Sequence, residues 1–427
     1  MRGLRYLLVA FFALSFSVLQ AGYDTHFHHK TLRMDFFHHG SSNTEEISLY
    51  RFIEEPYWGG SLVNLTDTFS LGQYYVEVRD TVSNRLLYSR GFSTLYAEWQ
   101  DTPEAQDTTR SFPGSVVLPY PKHGVEISIF RYNKQHIPSR IFSKRFIPGT
   151  TKVDSAVMPS YPVIDIVVNG TPSEQLDILI LAEGYTQEDR EKFLRDCTRL
   201  AGYLVGASPF REHSDRISIR AIMSYSEESG VSRPDKGIFV NSSLGVSYNT
   251  FGSSRYLMTE DFHRVRDVAA LAPYDQIIIL VNSDVYGGGG IYNFYATVPS
   301  DHSAADFLVL HEFGHSFAGL ADEYYTSDVA YQNHYDISVE PREANITTLV
   351  AFERKWGDLV LPQTPVPTPA SALYSDVVGV FEGAGYAEKG IYRPYLNCTM
   401  RSVIYDAFCP VCKRAITAML MFYTGGF

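Results

Sequence analysis

The chain has 427 residues, enough for two or three domains, and its 45% hydrophobic and 20% charged residues are normal for a folded protein. The formal net charge is −12, which argues against nucleic acid or an anionic membrane as a partner, because both attract a basic face. Beyond the N-terminus no segment is apolar enough to cross a membrane, so we expect no stable membrane insertion. The oligomeric state stays open.

Residues 1–21 have the pattern of an export signal. Arg2 and Arg5 precede an apolar run at residues 7–19, and Ala21 offers a small residue for cleavage. The run is short for a bilayer-spanning helix; an uncleaved N-terminal anchor is the alternative. Cleavage would remove both arginines and change the net charge from −12 to −14. We therefore expect a secreted, periplasmic or cell-surface protein.

Residues 23–148 are predicted to form an all-β accessory domain. Segments such as GQYYVEVRD (residues 72–80) and VEISIFRYN (residues 125–133) alternate polar and apolar residues, and Gly, Asn, Asp and Pro separate them. This pattern is typical of a β-sandwich. Residues 149–162 are predicted to be a linker.

Residues 163–427 are predicted to form an α/β (α+β) domain, because apolar strand patterns alternate there with helical ones. The predicted strands are residues 177–185, 217–225 and 275–283. The first predicted helix begins at Thr186, the second spans residues 259–272 and the third begins at Ser303. Residues 362–371 are predicted to be an irregular loop.

The segment ADFLVLHEFGHSFAGLADEYY (residues 305–325) carries the chemistry. His311 and His315 lie four residues apart in a helical, apolar stretch, so both imidazoles leave the same helix face. Two imidazoles at this spacing are typical ligands of one Zn²⁺ ion. Glu312 is predicted to be the catalytic base that takes a proton from water and passes it to the leaving amine. The alternative is a helix with two partly buried histidines that bind no metal.

A catalytic zinc site needs a third protein ligand. Gly319 can end the helix and turn the chain back, and Asp322 and Glu323 follow it. This segment resembles the metzincin metallopeptidases, whose pattern is HExxHxxGxxH or HExxHxxGxxD. Here Ala318 stands at the glycine position of the pattern, but the spacing from Gly319 to Asp322 equals the spacing from glycine to third ligand. The resemblance favours Asp322, with Glu323 second and a residue from elsewhere third; the alternative for Asp322 is a helix-end carboxylate paired with Lys or Arg.

The longer motif, followed by Asp-Glu-Tyr, resembles the IgA-peptidase family of zinc metallopeptidases. Further landmarks that resemble this family, in matching order, are LAEGYTQEDREKF, YGGGGIYNFYA, and the downstream NCTMR and FCPVC. The resemblance covers most of residues 154–427, and the β-rich front resembles the accessory domain of many members. It implies a metzincin-like catalytic domain, a Zn²⁺ cofactor and hydrolysis of peptide bonds, without implying immunoglobulin A as the substrate.

In metzincins a methionine on a tight turn lies beneath the zinc, and the resemblance implies this position for Met400. The alternative is an ordinary core methionine. Some metzincins carry a tyrosine two residues later, where this chain has Ser402. Tyr324, Tyr325 and Tyr405 are therefore the unranked candidates for stabilising an oxyanion.

A glycine-rich segment at residues 286–298 is predicted to shape a substrate cleft. Four glycines at residues 287–290 permit a close backbone approach, and residues 291–298 alternate like an edge strand. An extended peptide could add to such an edge through main-chain hydrogen bonds, which suits an endopeptidase. The alternative is a flexible turn between strands.

The chain has four cysteines. Cys409 and Cys412 form a CxxC that, with Cys398, could be half of a structural zinc site, but no second CxxC or histidine pair lies near them in sequence. For an exported protein we predict instead a disulfide between Cys398 and one of this pair. Cys197, on an apolar helix face, either forms a disulfide with the remaining cysteine of this pair or stays a buried thiol.

Together these features predict an exported zinc endopeptidase that cleaves extracellular protein or glycoprotein. Its expected metal ligands are His311, His315 and Asp322, and its expected catalytic residue is Glu312. The alternative, from another functional class, is a non-catalytic surface or glycan-binding protein with a degenerate peptidase domain. The intact Glu312 argues against that alternative, since a binding protein has no use for a general base.

Overall fold

The computed structural model describes residues 22–155, 159–325, 335–404 and 407–425. The predicted export signal at residues 1–21 lies outside these ranges, and so does Tyr405. Within them, no helix combines the length and apolar character of a membrane span. The chain folds into two domains, a β-rich N-terminal domain and a larger domain of mixed α/β structure.

The N-terminal domain consists of two four-stranded sheets. Its strands are β1 (Phe27–Gly40), β2 (Glu45–Glu55), β3 (Tyr74–Asp80), β4 (Leu86–Phe92), β5 (Arg110–Pro121), β6 (Val125–Tyr132), β7 (Pro138–Phe146) and β8 (Asp154–Ser155). The strand order is β5-β1-β2-β8 in one sheet and β4-β3-β6-β7 in the other. Two short helices, α1 (Leu95–Gln100) and α2 (Glu104–Asp107), connect β4 to β5.

The two sheets pack together because their strands alternate between a buried and a more exposed face. In β3, Tyr74, Val76 and Val78 are buried, whereas the residues between them are partly exposed. Side chains from both sheets share one apolar core, as expected for sheets packed face to face. This arrangement agrees with the β-sandwich that the alternating pattern predicts.

The second domain is built on a six-stranded sheet. Its strands are β9 (Val163–Val167), β10 (Leu176–Glu183), β11 (Ile217–Ile222), β12 (Gln276–Val281), β13 (Gly289–Ile291) and β14 (Tyr295–Pro299), and a separate hairpin is formed by β15 (Phe381–Ala384) and β16 (Ala387–Arg393). Its helices are α3 (Arg190–Gly206), α4 (Phe262–Ala269), α5 (Ala305–Ala318) and α6 (Pro410–Tyr423). Short 3-10 helices span Arg211–Arg216, Pro234–Lys236, Thr250–Gly252, Phe352–Arg354, Gly357–Leu359 and Ala372–Tyr374.

The six-stranded sheet has the order β13-β14-β12-β10-β11-β9, parallel in its centre and antiparallel at β13 and β9. Every residue of β10 and β12 is buried, as expected for central parallel strands. One face of the sheet packs against α3, α5 and α6. The other packs against α4 and parts of the N-terminal domain. Helix α5, which carries His311 and His315, therefore lies on one face of the sheet, against the strands β13 and β14.

The predicted strands of the second domain and the helices between them are confirmed, with shorter bounds. The predicted role of Thr186 as a helix cap is wrong. The amide and hydroxyl of Thr186 donate to the Asp189 carboxylate at 3.0 and 2.9 Å. These bonds close a turn ahead of the helix, which begins one turn later at Arg190.

The predicted single strand at residues 291–298 is also wrong in its bounds. Asn293 has a φ of 52°, a left-handed conformation that asparagine tolerates. Its amide donates to the carbonyl oxygen of Ser316 in α5 at 2.8 Å, and the amide of Phe294 donates to the carbonyl oxygen of Ile291 at 3.1 Å. The resulting tight turn divides the segment into β13 and β14, with β13 at the edge of the sheet.

A buried ion-pair network joins the two domains. Arg33, in β1, has no exposed side-chain surface and pairs with Asp35 and Glu55 at 3.0 Å. It also pairs with Asp267 of α4, in the second domain. Nε2 of His263, likewise in α4, lies 2.9 and 3.1 Å from two carbonyl oxygens of the N-terminal domain. These directional contacts favour one orientation of the domains.

We expect the Arg33→Met variant to lose about 3–5 kcal/mol of stability, because removal of Arg33 leaves buried carboxylates without their partner. The urea midpoint of unfolding measures this effect. The matched control is Lys30→Met in the same strand, since Lys30 pairs with the partly exposed Glu54 at 2.6 Å and should contribute only about 0–1 kcal/mol. Equal midpoints for the two variants would contradict a role of the network in stability.

Candidate active site and metal centre

Helix α5 carries both histidines of the motif, and most of its residues are buried. It ends at Gly319, whose left-handed φ of 57° favours glycine. The amide of Gly319 donates to the carbonyl oxygen of His315 at 3.0 Å, and that of Leu320 to the carbonyl oxygen of Gly314 at 3.2 Å. The chain thereby reverses direction and brings Asp322 back to the histidines.

Both imidazole rings are oriented by backbone carbonyl groups. Nδ1 of His311 donates to the carbonyl oxygen of Thr399 at 3.0 Å, and Nδ1 of His315 to that of Leu320 at 2.6 Å. Because a carbonyl oxygen only accepts, a neutral ring in this position presents a lone pair at Nε2. The two Nε2 atoms lie 3.2 Å apart.

Asp322 faces the same two nitrogen atoms. Its Oδ1 lies 3.2 Å from Nε2 of His311 and 3.3 Å from Nε2 of His315. Oδ2 accepts a hydrogen bond from the hydroxyl of Tyr386. Oδ1 is buried and accepts no well-aligned hydrogen bond from any described residue, so it is the oxygen available to a cation.

The three facing atoms have the spacing of ligands around one tetrahedral metal ion. Ligands with metal bonds of about 2.0–2.1 Å lie about 3.3–3.4 Å apart in a tetrahedron. The separations among His311, His315 and Asp322 are 3.2, 3.2 and 3.3 Å. Two imidazole nitrogens and a carboxylate oxygen suit a divalent transition-metal ion. These residues therefore form a candidate metal-binding group.

The electrostatics of this group favour a positive charge between its members. Desolvation would raise the pKa of the Asp322 carboxyl, but His315 and His311 outweigh it and hold this pKa well below its usual range. Desolvation would lower the pKa of His315, but Asp322 and Glu312 raise it to about 9. A divalent ion can supply the same positive charge in place of a proton.

Glu323 points away from the histidines. Its Oε1 accepts a hydrogen bond from Nδ2 of Asn345 at 2.9 Å and lies 3.2 Å from Sγ of Cys412. Its amide donates to the carbonyl oxygen of Met400 at 2.8 Å, whereas the carbonyl oxygen of Asp322 accepts from the turn between β15 and β16 at 2.9 Å. Asp322 and Glu323 therefore belong to different clusters, although they are neighbours in the chain.

Glu312 lies beside the candidate metal group and against the glycine-rich edge strand. Burial raises the pKa of its carboxyl, against the lowering effect of His311 and His315. A Cβ atom added to Gly288 would lie 2.7 Å from Oε1 of Glu312, and one added to Gly290 would lie 2.2 Å from its carbonyl oxygen. The edge strand can therefore approach α5 this closely only with glycine at these positions.

We expect the Gly290→Ala variant to lose about 1–3 kcal/mol of stability and to cleave peptides more slowly, because its new methyl group displaces backbone next to Glu312. The urea midpoint and the rate of peptide cleavage measure the two effects. The matched control is Gly202→Ala in α3, where an added Cβ meets no atom within 4 Å and should stabilise the helix by about 0.5–1 kcal/mol. A Gly290→Ala variant with unchanged stability and rate would show that the contact between the edge strand and α5 tolerates a side chain at this position.

The segment that precedes α6 packs against the histidine helix. Met400 is fully buried, and its Sδ would lie 2.8 Å from a Cβ added to Gly314 in α5. Thr399, the preceding residue, supplies the carbonyl oxygen that orients His311. Met400 thus contacts the helix between the two histidines.

A cleft of about 940 Å³ includes the candidate metal group in its wall. From the second domain it is lined by His311, Glu312 and the glycines at residues 287–290. From the N-terminal domain it is lined by residues that include Glu45 of β2 and Arg131 of β6. No local motif predicts this contribution, since only domain packing brings these distant residues to the cleft.

The tyrosines considered for an oxyanion role lie in different surroundings. The ring of Tyr324 is nearly parallel to that of His311, with 6.4 Å between ring centroids, and it lines the cleft. Tyr325 packs against Gly383 instead, and Tyr405 lies outside the described residues. Tyr324 is therefore the one of these three that the described structure brings to the cleft.

Two further tyrosines lie near the site: Tyr386, which no sequence motif marks, and Tyr286, which opens the glycine-rich segment. Tyr386, in the turn between β15 and β16, bonds to Asp322, and Tyr286 lines the cleft at the start of the glycine-rich segment. Burial, Glu312 and Asp322 raise the pKa of Tyr286, against the effect of Arg255. Tyr286 stays a hydroxyl donor near neutral pH, since the ordinary pKa of a tyrosine is already about 10 and this one is raised.

All four cysteines are unbonded thiols. Sγ of Cys398 lies 3.8 Å from Sγ of Cys412, whereas a disulfide bond is about 2.05 Å long. The prediction of a disulfide from Cys398 is therefore wrong for this structure. Cys197 is a buried thiol in α3, the second of the two uses predicted for it.

Two family models match the chain. A model described as IgA Peptidase M64 matches residues 164–374 and 370–420, and one described as Peptidase M64 N-terminus matches residues 22–143. No curated protein matches the chain. The first match contains α5, Asp322, Met400 and most of α6, so the candidate metal centre lies within the matched region.

Proposed function

The chain belongs to the IgA peptidase M64 family, and we propose that it is an exported, zinc-dependent endopeptidase. Family membership makes it a peptidase. The proposal adds the metal, the internal cleavage of polypeptides and the export. The observation that carries it is the group of two Nε2 atoms and one Oδ1 atom, 3.2–3.3 Å apart, next to a buried glutamate.

His311, His315 and Asp322 would hold the zinc ion, and their spacing suits its bond lengths. Three protein ligands leave one position open, as in catalytic rather than structural zinc sites. When bound there, zinc supplies polarisation of the scissile carbonyl and acidification of a water molecule. The carbonyl oxygens that accept from both Nδ1 atoms would leave the Nε2 lone pairs available to the ion.

Glu312 is the group in position to move protons. It directly follows His311 in the helix, and its buried carboxyl has a raised pKa. Such a carboxylate can accept the proton of the attacking water and then deliver it to the departing amine. Tyr324 and Arg255 line the same cleft, with the Arg255 guanidinium 5.8 Å from the Tyr324 ring centroid. They are the candidates for stabilising negative charge on the carbonyl oxygen.

The cleft suits an extended polypeptide. The backbone of Gly288 already bonds to Arg255 and Leu257, which leaves β13 (Gly289–Ile291) as the edge that lines the cleft. A peptide chain can add to such an edge by main-chain hydrogen bonds without a preference for particular side chains. We therefore propose polypeptides, including those of glycoproteins, as the substrate class, with internal cleavage.

Export is supported by the basic and apolar pattern of residues 1–21. A secreted, periplasmic or cell-surface location would bring the cleft to extracellular protein. The competing function, a surface or glycan-binding protein without activity, leaves Glu312 and the open ligand position without a purpose. No observation of the described residues favours it.

Removal of the metal is the test of this function. We expect dialysis against a chelator to abolish casein cleavage and stoichiometric Zn²⁺ to restore it, because the ligands cannot activate water without the ion. Mass spectrometry of the products measures internal cleavage, and elemental analysis measures the metal. Full activity in protein that contains no metal would refute zinc dependence, and release of terminal residues alone would refute endopeptidase action.

A further inference from the structure

A second buried cluster lies next to the candidate metal group. The ligand atoms of Glu323, Cys398, Cys409 and Cys412 all lie within 4.8 Å of one another. Each residue is at most 2% exposed. They come from three segments: the chain that leaves α5, the segment before Met400 and the start of α6. The peptidase chemistry uses none of them.

Backbone amides directed at the sulfur atoms of Cys409 and Cys398 favour thiolates at these two residues. Cys409 is the N-cap of α6, where the helix dipole stabilises negative charge. Its Sγ accepts a hydrogen bond from the amide of Cys412 at 3.5 Å. Its own amide donates to Sγ of Cys398 at 3.4 Å. Amide donors directed at sulfur stabilise the anion more than the neutral group.

Glu323 adds a carboxylate that the protein only partly satisfies. Oε1 accepts from Asn345, but Oε2 is buried without a hydrogen bond from any described residue. Arg393 acts on Glu323 through its charge, yet its Nη1 donates to the carbonyl oxygens of Glu382 and Gly383. A buried carboxylate beside three sulfur atoms is costly unless a cation lies among them.

The spacing fits one tetrahedral zinc ion. Sγ of Cys398 and Sγ of Cys412 are 3.8 Å apart, and sulfur ligands with zinc bonds of about 2.3 Å lie about 3.8 Å apart in a tetrahedron. Oε1 of Glu323 lies 3.2 Å from Sγ of Cys412, near the separation of about 3.6 Å for one sulfur and one oxygen ligand. Three soft sulfur ligands favour zinc over calcium and magnesium, which prefer oxygen.

We propose that Glu323, Cys398, Cys409 and Cys412 bind a second zinc ion, with a structural role. Four protein ligands close this site, whereas the candidate catalytic group provides three and leaves one position open. Thiolate ligation requires no disulfide, which agrees with the unbonded sulfur atoms. This second site is independent of the proposed peptidase function and stands or falls separately.

The second ion would hold two parts of the first site in place. Glu323 directly follows Asp322, and Cys398 directly precedes Thr399, whose carbonyl oxygen orients His311. Asp322 and Thr399 lie far apart in sequence and reach the histidines by separate turns of the chain. A common ion would fix these two turns relative to each other.

The test is the zinc content of the purified full-length protein and of variants that lack one site each. We expect two zinc ions per chain in the wild type and one in the His311→Ala/His315→Ala double variant. We expect the Cys409→Ser variant to lose the second-site ion, while Cys197→Ala, a buried cysteine outside the cluster, keeps both. Circular dichroism checks that each variant is folded.

Cobalt substitution identifies the ligands independently of activity. In the double variant, which has no histidine site, bound Co²⁺ should show an intense thiolate-to-cobalt charge-transfer band in the near ultraviolet. A folded double variant that binds neither zinc nor cobalt would overturn the proposal. Alkylation of the denatured, unreduced protein should modify all four cysteines, and protection of two would show a disulfide instead.

A milder variant keeps the proposal testable if Cys409→Ser fails to fold. Glu323→Gln in the double-variant background retains the shape of the side chain but removes its charge. We expect its zinc affinity, measured by competition with a chromogenic chelator, to fall at least about tenfold. An unchanged affinity would exclude Glu323 as a ligand.

Discussion

The Glu312→Gln variant is expected to bind zinc like the wild type and to cleave peptides about 10²–10⁴-fold more slowly, the usual contribution of a general acid–base group. The reason is chemical, since an amide occupies the same space but cannot take a proton from water. This factor corresponds to about 3–5 kcal/mol of transition-state stabilisation. The measurements are kcat/KM on a casein-derived peptide and the zinc content of the same sample.

The matched control for this variant is Glu353→Gln, because Glu353 is 75% exposed and lies outside the cleft lining. Its kcat/KM should equal that of the wild type. If Glu312→Gln retained wild-type kcat/KM with zinc bound, another group would have to transfer the proton. If it lost zinc as well as activity, its slower rate would say nothing of proton transfer, and Glu312 would instead help to hold the metal.

The Asp322→Ala variant is expected to lose zinc from the histidine site and, with it, peptidase activity. Asp322 is the carboxylate whose Oδ1 faces both Nε2 atoms at 3.2 and 3.3 Å, and an alanine leaves only two ligands. Removal of a residue that only hydrogen-bonds to a metal ligand typically lowers metal affinity by about 10–100-fold. We expect the zinc affinity of Asp322→Ala to fall by more than this, because the ligand itself is removed. Competition with a chelator measures the zinc affinity of the variant.

Tyr386→Phe provides the graded comparison for this prediction. It removes only the hydroxyl that donates to Oδ2 of Asp322. The zinc affinity of this variant should therefore fall by no more than about 100-fold. Glu323→Gln should retain zinc at the histidine site, because Glu323 points to the cysteines. If Glu323→Gln lost that zinc while Asp322→Ala kept it, the assignment of the third ligand would be reversed.

The helix of the histidines could be predicted because its signals are local. An apolar stretch with His311 and His315 four residues apart specifies one helix face, and Gly319 marks the end of the helix through its left-handed conformation. The alternation of β3 and the apolar runs of β10 and β12 likewise follow from short-range pattern. Where the sequence prediction failed, as at Thr186 and Asn293, a single competing hydrogen bond or turn shifted a boundary.

The disulfide prediction failed for a different reason. Cysteine spacing and an expected oxidising compartment say which residues can pair, but they contain no information on a nearby carboxylate. Glu323 reaches Cys412 from a segment that lies 89 positions earlier in the chain. Only the packing of α5, the Met400 segment and α6 brings a carboxylate oxygen within 4.8 Å of the three sulfur atoms.

The amino-acid sequence alone determined the helix, the histidine pair, the adjacent glutamate and the β-rich front, because each depends on neighbours within a few residues. The tertiary structure decided which of two adjacent carboxylates faces the histidines, since Glu323 bonds to the Met400 segment and Asp322 to the turn between β15 and β16. It also decided that the N-terminal domain lines the cleft and that Thr399 and Tyr386 orient the candidate ligands. Such contacts join residues far apart in the chain, and only the packing of complete domains brings them together.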